Sequence, residues 1–226
     1  MTVANNLQQI EAKIEAACSK VNRNREEINI IGVTKYVTID RTKELLAAGV
    51  SDLGENRTEE FLHKYEDIQT QAKWHFIGTL QSRKVKDVID YVDVIHSLER
   101  LSVAKQINNR AEEPVDCFVQ VNVSGEEAKH GLHPEEVLPF IKGLQSYDKV
   151  NVVGLMTMAP HIQDKDEIRM VFRRLKELRD RIEGEQIPYA PCSYLSMGMS
   201  NDYDIAIEEG ATHIRIGTEL VGSNND

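Results

Sequence analysis

The sequence lacks the features that mark a membrane, secreted or disulfide-stabilised protein. It has no run of about eighteen apolar residues, which a membrane-spanning helix requires, and residues 1–20 contain no uninterrupted apolar segment with a cleavage site. Its three cysteines, Cys18, Cys117 and Cys192, show no CxxC spacing. We therefore expect reduced thiols in a cytoplasmic protein, with no membrane segment, no disulfide framework and no metal site.

Basic residues are too few for a protein that binds nucleic acid. The chain of 226 residues has 27 Lys+Arg against 37 Asp+Glu, and its formal net charge of -10 repels a phosphate backbone. Neither a Walker motif nor a GxGxxG fingerprint is present, so no nucleotide-binding loop is predicted. Net charge describes the far field of a protein, and a local pocket for a small anion is compatible with it.

Short β-branched or apolar runs alternate with stretches of helical periodicity along the chain. The first element is an amphipathic helix that places Leu7, Ile10, Ile14 and Val21 near one face. Eight predicted strands follow, at 28–36, 50–54, 73–78, 92–97, 115–123, 150–158, 193–197 and 213–217. Predicted helices separate most of them, at 39–48, 57–70, 81–90, 99–111, 134–146, 163–183 and 201–209.

This alternation predicts an α/β fold with a parallel sheet, because parallel neighbours need a crossover connection. A single (β/α)8 barrel of the TIM type with an extra N-terminal helix is favoured, and a doubly wound open sheet is the alternative. No linker of Pro, Gly or Ser interrupts the chain, so residues 1–226 are expected to form one domain, with helix 1–23 packed on the barrel. Gly49, Gly184 and Gly210 follow predicted helices, where the left-handed conformation is common.

Lys35 stands at the end of the first predicted strand, in the segment INIIGVTKYV. The reactive groups of such barrels lie at the carboxyl ends of the strands. We therefore expect this lysine in the mouth of the barrel, partly withdrawn from water, where an amine can form a Schiff base with an aldehyde. The alternative is a surface lysine whose stem lies on apolar residues while its ammonium group reaches solvent.

Arg215 is predicted to face the interior of the barrel. Side chains alternate along a strand, so His213, Arg215 and Gly217 share one face while Ile214 and Ile216 share the other. If the isoleucines face the helices, the arginine faces the lumen beside the first strand. The alternative is a core arginine paired with an interior carboxylate.

Two segments near the end of the chain are candidates for binding a small anion. The segment SMGMSND leads into predicted helix 201–209, with Ser200 or Asn201 as the expected N-cap, and it offers backbone N–H groups. Gly217 and Thr218 follow the last strand. Barrel enzymes often bind phosphate with the loops after strands 7 and 8, where both segments fall.

An aldehyde-seeking lysine, a phosphate cradle and an arginine together describe a pocket for pyridoxal 5′-phosphate (PLP). The motifs of this chain resemble those of the pyridoxal phosphate homeostasis proteins, in order and over nearly its whole length: GVTKYV, GENR, HFIGTLQSRK, VNVSGEEAKHGL, GLMTMAP and LSMGMSNDYDIAIEEGATHIRIGTELVG. The resemblance implies a barrel similar to the N-terminal domain of alanine racemase. It further implies PLP as a cofactor, bound as a covalent aldimine to Lys35.

The resemblance also assigns the remaining cofactor-binding residues. Arg215 is expected to contact the pyridine nitrogen. The phosphate is expected to be held by Ser200, Gly217 and Thr218, and the pocket to be lined by Asn56, His75 and Met199. No catalytic residue is assigned.

An arginine at the pyridine nitrogen opposes protonation of the ring and weakens its use as an electron sink. The resemblance accordingly implies a PLP-binding homeostasis and carrier protein, not an enzyme, which supplies PLP-dependent apo-enzymes. Alanine-racemase-like enzymes take a tyrosine base from a second domain across a dimer interface. Only nine residues follow Gly217, so we expect no such domain and a monomeric protein.

Two alternatives from another functional class remain open. One is a weakly active PLP-dependent amino-acid racemase, and the other is a Schiff-base aldolase that needs no cofactor. Lys129, in the loop after the fifth predicted strand, is either a second amine at the mouth or a solvated loop lysine.

Overall fold

The computed structural model describes residues 2–126 and 130–222. Eight parallel strands close into a barrel in the order in which they occur along the chain. They are β1 (Asn29–Val33), β2 (Asp52–Glu55), β3 (Lys73–Phe76), β4 (Val94–Leu98), β5 (Val115–Gln120), β6 (Val150–Met156), β7 (Tyr194–Ser196) and β8 (His213–Ile216). Strand β8 pairs with β1, with Ile31 opposite Arg215. The predicted barrel is therefore confirmed, and the open sheet is excluded.

Helices follow the strands on the outside of the barrel. The described residues form α1 (Val3–Lys20), α2 (Ile39–Ala47), α3 (Thr58–Ile68), α4 (Val85–Val88), α5 (Leu101–Arg110), α6 (Pro134–Lys142), α7 (Lys165–Glu183), α8 (Tyr203–Glu208) and α9 (Thr218–Val221). Helix α9 is absent from the sequence-based prediction because four residues are too few to show a helical period. Helix α4 is shorter than predicted, since a 3-10 turn at Ser82–Lys84 precedes it.

Helix α1 lies against α8 and α9 and so covers the segments that follow β7 and β8. Its apolar face is buried through Ile10, Ile14 and Ala17. The helix begins after Thr2, whose side chain accepts a hydrogen bond from the Asn5 backbone N–H at 3.3 Å. The N-terminal helix predicted from the periodicity is therefore present and packs on the barrel.

All three glycines lie at helix ends, as predicted. Gly49 and Gly210 have φ values of 100° and 104°, which is the left-handed conformation expected after a helix. Gly184 is the C-cap of α7, but its φ is −64° and its N–H donates to the Asp180 carbonyl oxygen, so the left-handed conformation expected there is wrong. The left-handed residue after α7 is Gln186, with φ 53°.

The barrel has an apolar outer layer and a partly polar lumen. Residues that point towards the helices, such as Leu53, Ile95 and Ile214, are fully buried and apolar. Barrel lumens of this kind are usually filled by branched aliphatic side chains, whereas here buried histidines and an arginine occupy the alternate positions of β3, β4 and β8. The polar residues of the candidate site therefore extend into the centre of the barrel.

The three cysteines are buried and unpaired, as predicted. Burial raises the pKa of the Cys192 thiol to about 12, which keeps it protonated at neutral pH. Within residues 2–126 and 130–222, no helix has both the length and the apolar character needed to cross a bilayer.

Candidate functional site

Arg215 faces the lumen, as its position in the strand predicts. The side chain is 4% exposed, and its Nη1 donates to Ser196 Oγ at 2.5 Å while Nη2 donates to the Thr157 carbonyl oxygen at 2.9 Å. Both partners are neutral, so the alternative of an arginine paired with an interior carboxylate is wrong. Burial lowers the pKa of Arg215 to about 10, and the guanidinium is still charged at neutral pH.

The guanidinium retains donors that no protein group uses. An arginine carries five N–H donors. Among the described residues, protein acceptors use two of the donors of Arg215. A buried donor without an acceptor is unfavourable. A ligand with an acceptor atom placed over this end of the lumen would satisfy it.

Lys35 lies in a turn and not in the first strand. Strand β1 ends at Val33, and the turn closes through a hydrogen bond from the Val37 N–H to the Thr34 carbonyl oxygen at 3.2 Å. Lys35 is exposed, so the expectation that it is partly withdrawn from water is wrong for the protein without a ligand. The reason is that β1 ends at Val33, three residues before the end of the predicted strand 28–36.

The turn has a strained conformation beside the lysine. Tyr36 has φ 69°, a region that bulky residues rarely adopt. Its ring lies 5.7 Å from Lys35 Nζ and 5.5 Å from Arg57 Cζ, both measured to the ring centroid. These distances suit cation–π contacts, which hold the lysine near the aromatic ring.

A buried ion pair supports this turn from below. Lys64 on α3 donates to Glu55 Oε1 at 2.6 Å and also to the Thr34 carbonyl oxygen, and the Thr34 hydroxyl donates to the same carboxylate oxygen at 2.6 Å. The Lys64 and Glu55 side chains are 5% and 0% exposed. The peptide that precedes Lys35 is therefore fixed by a charge-assisted network inside the protein.

Asn56 follows β2 directly and carries an unsatisfied acceptor. Its Oδ1 is buried and has no hydrogen-bond partner among the described residues. Most buried polar atoms in proteins have a partner. The unpaired oxygen therefore marks a place where a ligand with a hydrogen-bond donor fits.

The loops after β7 and β8 each contain backbone N–H groups that have no protein acceptor in the described chain. Within the part of the chain that the structure describes, the N–H groups of Ser200, Asn201, Gly217 and Thr218 donate to no protein acceptor. Gly217 and Thr218 also line a cavity of about 170 Å³ together with Lys35. Ser200 and Asn201 line a different cavity, together with residues of α1. Backbone N–H groups without a protein acceptor can bind an anion, so each of the two loops is a candidate for contacting a phosphate group.

The N-cap predicted for helix α8 is wrong. The helix begins at Tyr203, and Asp202 is the N-cap in place of Ser200 or Asn201. The Asp202 carboxylate is buried and accepts a hydrogen bond from the Met199 N–H at 2.6 Å. Because this bond closes the loop, Met199 and Ser200 are held at the carboxyl end of β7 instead of entering the helix.

His75 lies deeper in the lumen than a pocket-lining residue. It is fully buried, with Nε2 2.9 Å from Asp52 Oδ1 and Nδ1 2.9 Å from His96 Nε2. His96 in turn lies 2.9 Å from Ser196 Oγ through Nδ1. His75 is therefore connected to Arg215 only through His96 and Ser196, and both of its ring nitrogens have protein partners.

Several residues of this site are missing from the sequence-based prediction. They are Asp52, Glu55, Lys64, His96, Thr157 and Ser196. A signal was present in four of them, because Asp52, His96, Thr157 and Ser196 are polar residues within predicted strands. Lys64 gave none, since a lysine in an amphipathic helix is usually solvated. Lys129 lies outside the described residues.

The lumen histidines make the stability of the fold dependent on pH. His213 is 7% exposed, and its pKa is lowered to about 3, mainly by burial and secondarily by the neighbouring His75. The unfolded chain takes up a proton near the ordinary histidine pKa of about 6.5, whereas folded His213 does not. The stabilisation is therefore complete above that pH and decreases as the pH falls towards the folded value.

We predict that the His213→Gln variant loses less stability on acidification than the native chain. Glutamine retains hydrogen-bonding groups for Thr212 and Asn29 but has no proton to gain. Between about pH 7.5 and about 5.5, the free energy of unfolding of the native chain should decrease by about 1.4 kcal/mol more than that of the variant. Urea denaturation at both pH values measures this difference, and equal decreases would contradict the prediction.

The sequence of this chain is similar to a known domain family and to named relatives. The family model for the alanine racemase N-terminal domain matches residues 5–225. The pyridoxal phosphate homeostasis protein of Aquifex aeolicus is 39% identical over 226 residues, with 98% of each chain covered.

Two solved structures resemble the fold. PipY of Synechococcus elongatus, solved with PLP bound, is 26% identical, has a TM-score of 0.85, and is matched over 98% of this chain and 100% of that chain. An alanine racemase of Clostridium difficile has a TM-score of 0.77 at 18% identity, with 98% of this chain and 58% of that chain covered. The second likeness concerns the fold alone.

Proposed function

The chain belongs to the family of the pyridoxal phosphate homeostasis proteins, which carry the alanine racemase N-terminal domain, and we therefore propose that it binds PLP and takes part in PLP homeostasis. The single observation that carries the proposal is Arg215, a buried guanidinium with unused donors at the carboxyl end of the strand next to β1. A pyridine nitrogen is an acceptor that suits these donors. PLP is known to be bound in the related PipY structure.

Other residues that follow the carboxyl ends of the strands suit the remaining parts of the cofactor. Lys35 supplies an amine that forms a reversible Schiff base with the aldehyde. The free N–H groups of Ser200, Gly217 and Thr218 suit the phosphate, and Met199 borders the same loop. Asn56 offers its unpaired Oδ1 to a donor on the ring. His75 lies deeper in the lumen than these residues and is connected to Arg215 through His96 and Ser196.

The same geometry favours a carrier over an enzyme. PLP supplies an electron sink for amino-acid chemistry when its ring nitrogen is protonated. The charged Arg215 disfavours a second positive charge beside it, and its two protein partners are neutral. The described residues thus hold an aldehyde in a reversible bond but do not activate it strongly.

A carrier must release its cofactor as well as bind it. The exposed position of Lys35 in a turn allows an incoming amine to displace it from the aldehyde. We assign PLP-dependent apo-enzymes as the recipients, and residues 1–226 as one monomeric, cytoplasmic PLP-binding domain. Control over PLP is useful because a free aldehyde reacts with exposed amines.

Two measurements test the proposal on the purified protein. Titration of the apo-protein with PLP should give a coloured complex that loses its colour on treatment with borohydride, and mass spectrometry should find the cofactor on the Lys35 peptide. Pyridoxal, which lacks the phosphate, is the matched control and should bind more weakly. No complex at stoichiometric PLP would overturn the proposal.

The enzymatic alternative is tested with the same preparation. The loaded protein is incubated with a panel of α-deuterated amino acids, and loss of deuterium is followed by NMR. We expect a rate no greater than that of free PLP at the same concentration. A rate well above that level would identify a racemase-like enzyme and reject the carrier assignment.

A further inference from the structure

A chain of hydrogen bonds runs through the lumen from Arg215 to the opposite end of the barrel. Arg215 Nη1 donates to Ser196 Oγ, and Ser196 Oγ lies 2.9 Å from His96 Nδ1. His96 Nε2 lies 2.9 Å from His75 Nδ1, and His75 Nε2 lies 2.9 Å from Asp52 Oδ1. Asp52 is the first residue of β2 and therefore stands at the amino-terminal end of the barrel.

The two ends of this chain fix the direction of every bond between them. An arginine can only donate and a carboxylate can only accept. His75 Nε2–H therefore donates to the Asp52 carboxylate, which leaves His75 Nδ1 to accept a hydrogen bond from His96 Nε2–H. His96 Nδ1 is then an acceptor for the Ser196 hydroxyl, whose oxygen accepts from Arg215.

Burial makes this arrangement costly to change. His75, His96 and Ser196 are fully buried, so water does not offer alternative partners for their polar atoms. Burial also lowers the pKa of both histidines and keeps each ring neutral, with one proton per ring. The reverse direction leaves the Ser196 hydroxyl proton without an acceptor in the chain, because Arg215 cannot accept it.

Asp52 is the member of the chain that reaches solvent. Its side chain is 25% exposed, in contrast to the other members. Burial raises the pKa of Asp52, but the hydrogen bond with His75 and the neighbouring Lys73 charge outweigh it and lower the pKa. A second aspartate, Asp116 on β5, lies near the same end but accepts from Asn151 Nδ2 at 2.7 Å and does not join the chain. The two aspartates differ in what they touch, so one can serve as the control for the other.

We propose that Asp52 is a positioning residue for the cofactor site, which acts through His75, His96 and Ser196 to hold the Arg215 guanidinium in the orientation that binds the PLP ring. The inference rests on the proposed function for its consequence, but not for the direction of the chain. With the Ser196 oxygen directed at Arg215, the remaining guanidinium donors stay free for a ligand. Asp52 thus affects how the PLP ring is held, although it lies at the amino-terminal end of the barrel.

The direction of the chain is tested by NMR on the apo-protein. Histidine ring nitrogen shifts distinguish the two neutral tautomers, and we expect the Nε2–H form for both His75 and His96. In Asp52→Leu, the His75 proton loses its acceptor, so the Nδ1–H form should appear at both rings. Asp52→Asn retains an acceptor oxygen and should restore the native shifts. An Nδ1–H form at either ring of the native protein, or native shifts in Asp52→Leu, would overturn the inference.

The effect on the cofactor site is tested by titration with PLP. Asp52→Leu should raise the Kd for PLP by about 5- to 10-fold, the effect expected for the loss of one oriented hydrogen bond. Asp52→Asn and Asp116→Leu should remain within about twofold of the native chain. His96→Phe, which keeps the stacking on Phe118, should weaken binding as Asp52→Leu does.

These outcomes separate the inference from the proposed function. Failure of the native protein to bind PLP rejects the proposed function and, with it, the positioning role of Asp52. Normal PLP binding by both Asp52→Leu and His96→Phe rejects the positioning role alone. Equal weakening by Asp116→Leu also rejects it, because a general effect of charge at this end of the barrel would then account for the change.

Discussion

Replacing Lys35 with alanine should abolish covalent loading of the protein with PLP. The amine of Lys35 shares a cavity with Gly217 and Thr218, whose N–H groups suit the phosphate, so no other described lysine combines an amine with this position. After borohydride treatment, mass spectrometry should detect no stable adduct on the variant. The remaining non-covalent contacts should leave a Kd at least about 100-fold higher, which corresponds to about 2.7 kcal/mol.

A matched control separates this effect from a general loss of surface lysines. Lys43→Ala removes an exposed lysine from α2 and should load as the native protein does. Lys35→Arg retains the positive charge but not the nucleophilic amine and should behave like Lys35→Ala. A stoichiometric adduct at another lysine in Lys35→Ala would show that the aldehyde is held elsewhere.

Replacing Lys64 with methionine should destabilise the fold strongly at neutral pH. The change leaves the buried Glu55 carboxylate without its ammonium partner, and breaking one side of a buried pair typically costs about 3–5 kcal/mol. Burial already raises the pKa of Glu55, although the charge of Lys64 and its hydrogen bond lower it. Without Lys64 the folded pKa rises further, so the loss of stability should become smaller as the pH is lowered and the carboxyl group takes up a proton.

Denaturant unfolding at neutral and mildly acidic pH measures both parts of this prediction. The double variant Lys64→Met with Glu55→Leu removes the unpaired charge and should recover most of the lost stability. Lys84→Met, which breaks an exposed ion pair with Glu59, should cause little change. A deficit in Lys64→Met that is independent of pH would contradict the assignment of the effect to Glu55.

The ion pair also connects the stability of the fold with the binding site. Lys64 donates to the carbonyl oxygen of Thr34, the residue before Lys35. A helix residue on the outside of the barrel therefore fixes the turn that presents the amine. Lys35, which we propose as the aldehyde-binding lysine, is exposed, and the turn that carries it is held by the buried Lys64 and Glu55 side chains through Thr34.

The order of strands and helices was predictable from the sequence because each element has its own local signal. Runs such as INIIGV are apolar on both faces, as expected for a strand buried in a parallel sheet, and the amphipathic helices between them supply the crossovers. Alternation along HIRIG was enough to direct Arg215 into the lumen. Candidates such as Lys35, Ser200 and Gly217 then followed from their place at strand ends.

The limits of strands and the partners of buried groups were not predictable in this way. Thr34 and Lys35 lie within the predicted strand 28–36, but the chain turns there because Thr34 forms hydrogen bonds with Glu55 and Lys64 from other elements. The N-cap of α8 is Asp202 and not Ser200 or Asn201, because the Asp202 carboxylate accepts a hydrogen bond from the Met199 N–H. Each correction depends on a contact between residues that local periodicity does not relate.

The sequence by itself predicted the closed barrel over the open sheet, the inward direction of Arg215, and a lysine and two candidate anion-binding loops at the carboxyl ends of adjacent strands. These follow from the period of the side chains and from the order of the elements. Only the tertiary structure decided that His96 and Ser196, separated by 100 residues, connect Arg215 to Asp52, and that Lys64 supports the Lys35 turn. Such links depend on which side chains the barrel brings within hydrogen-bond distance, and that distance is a property of the closed sheet.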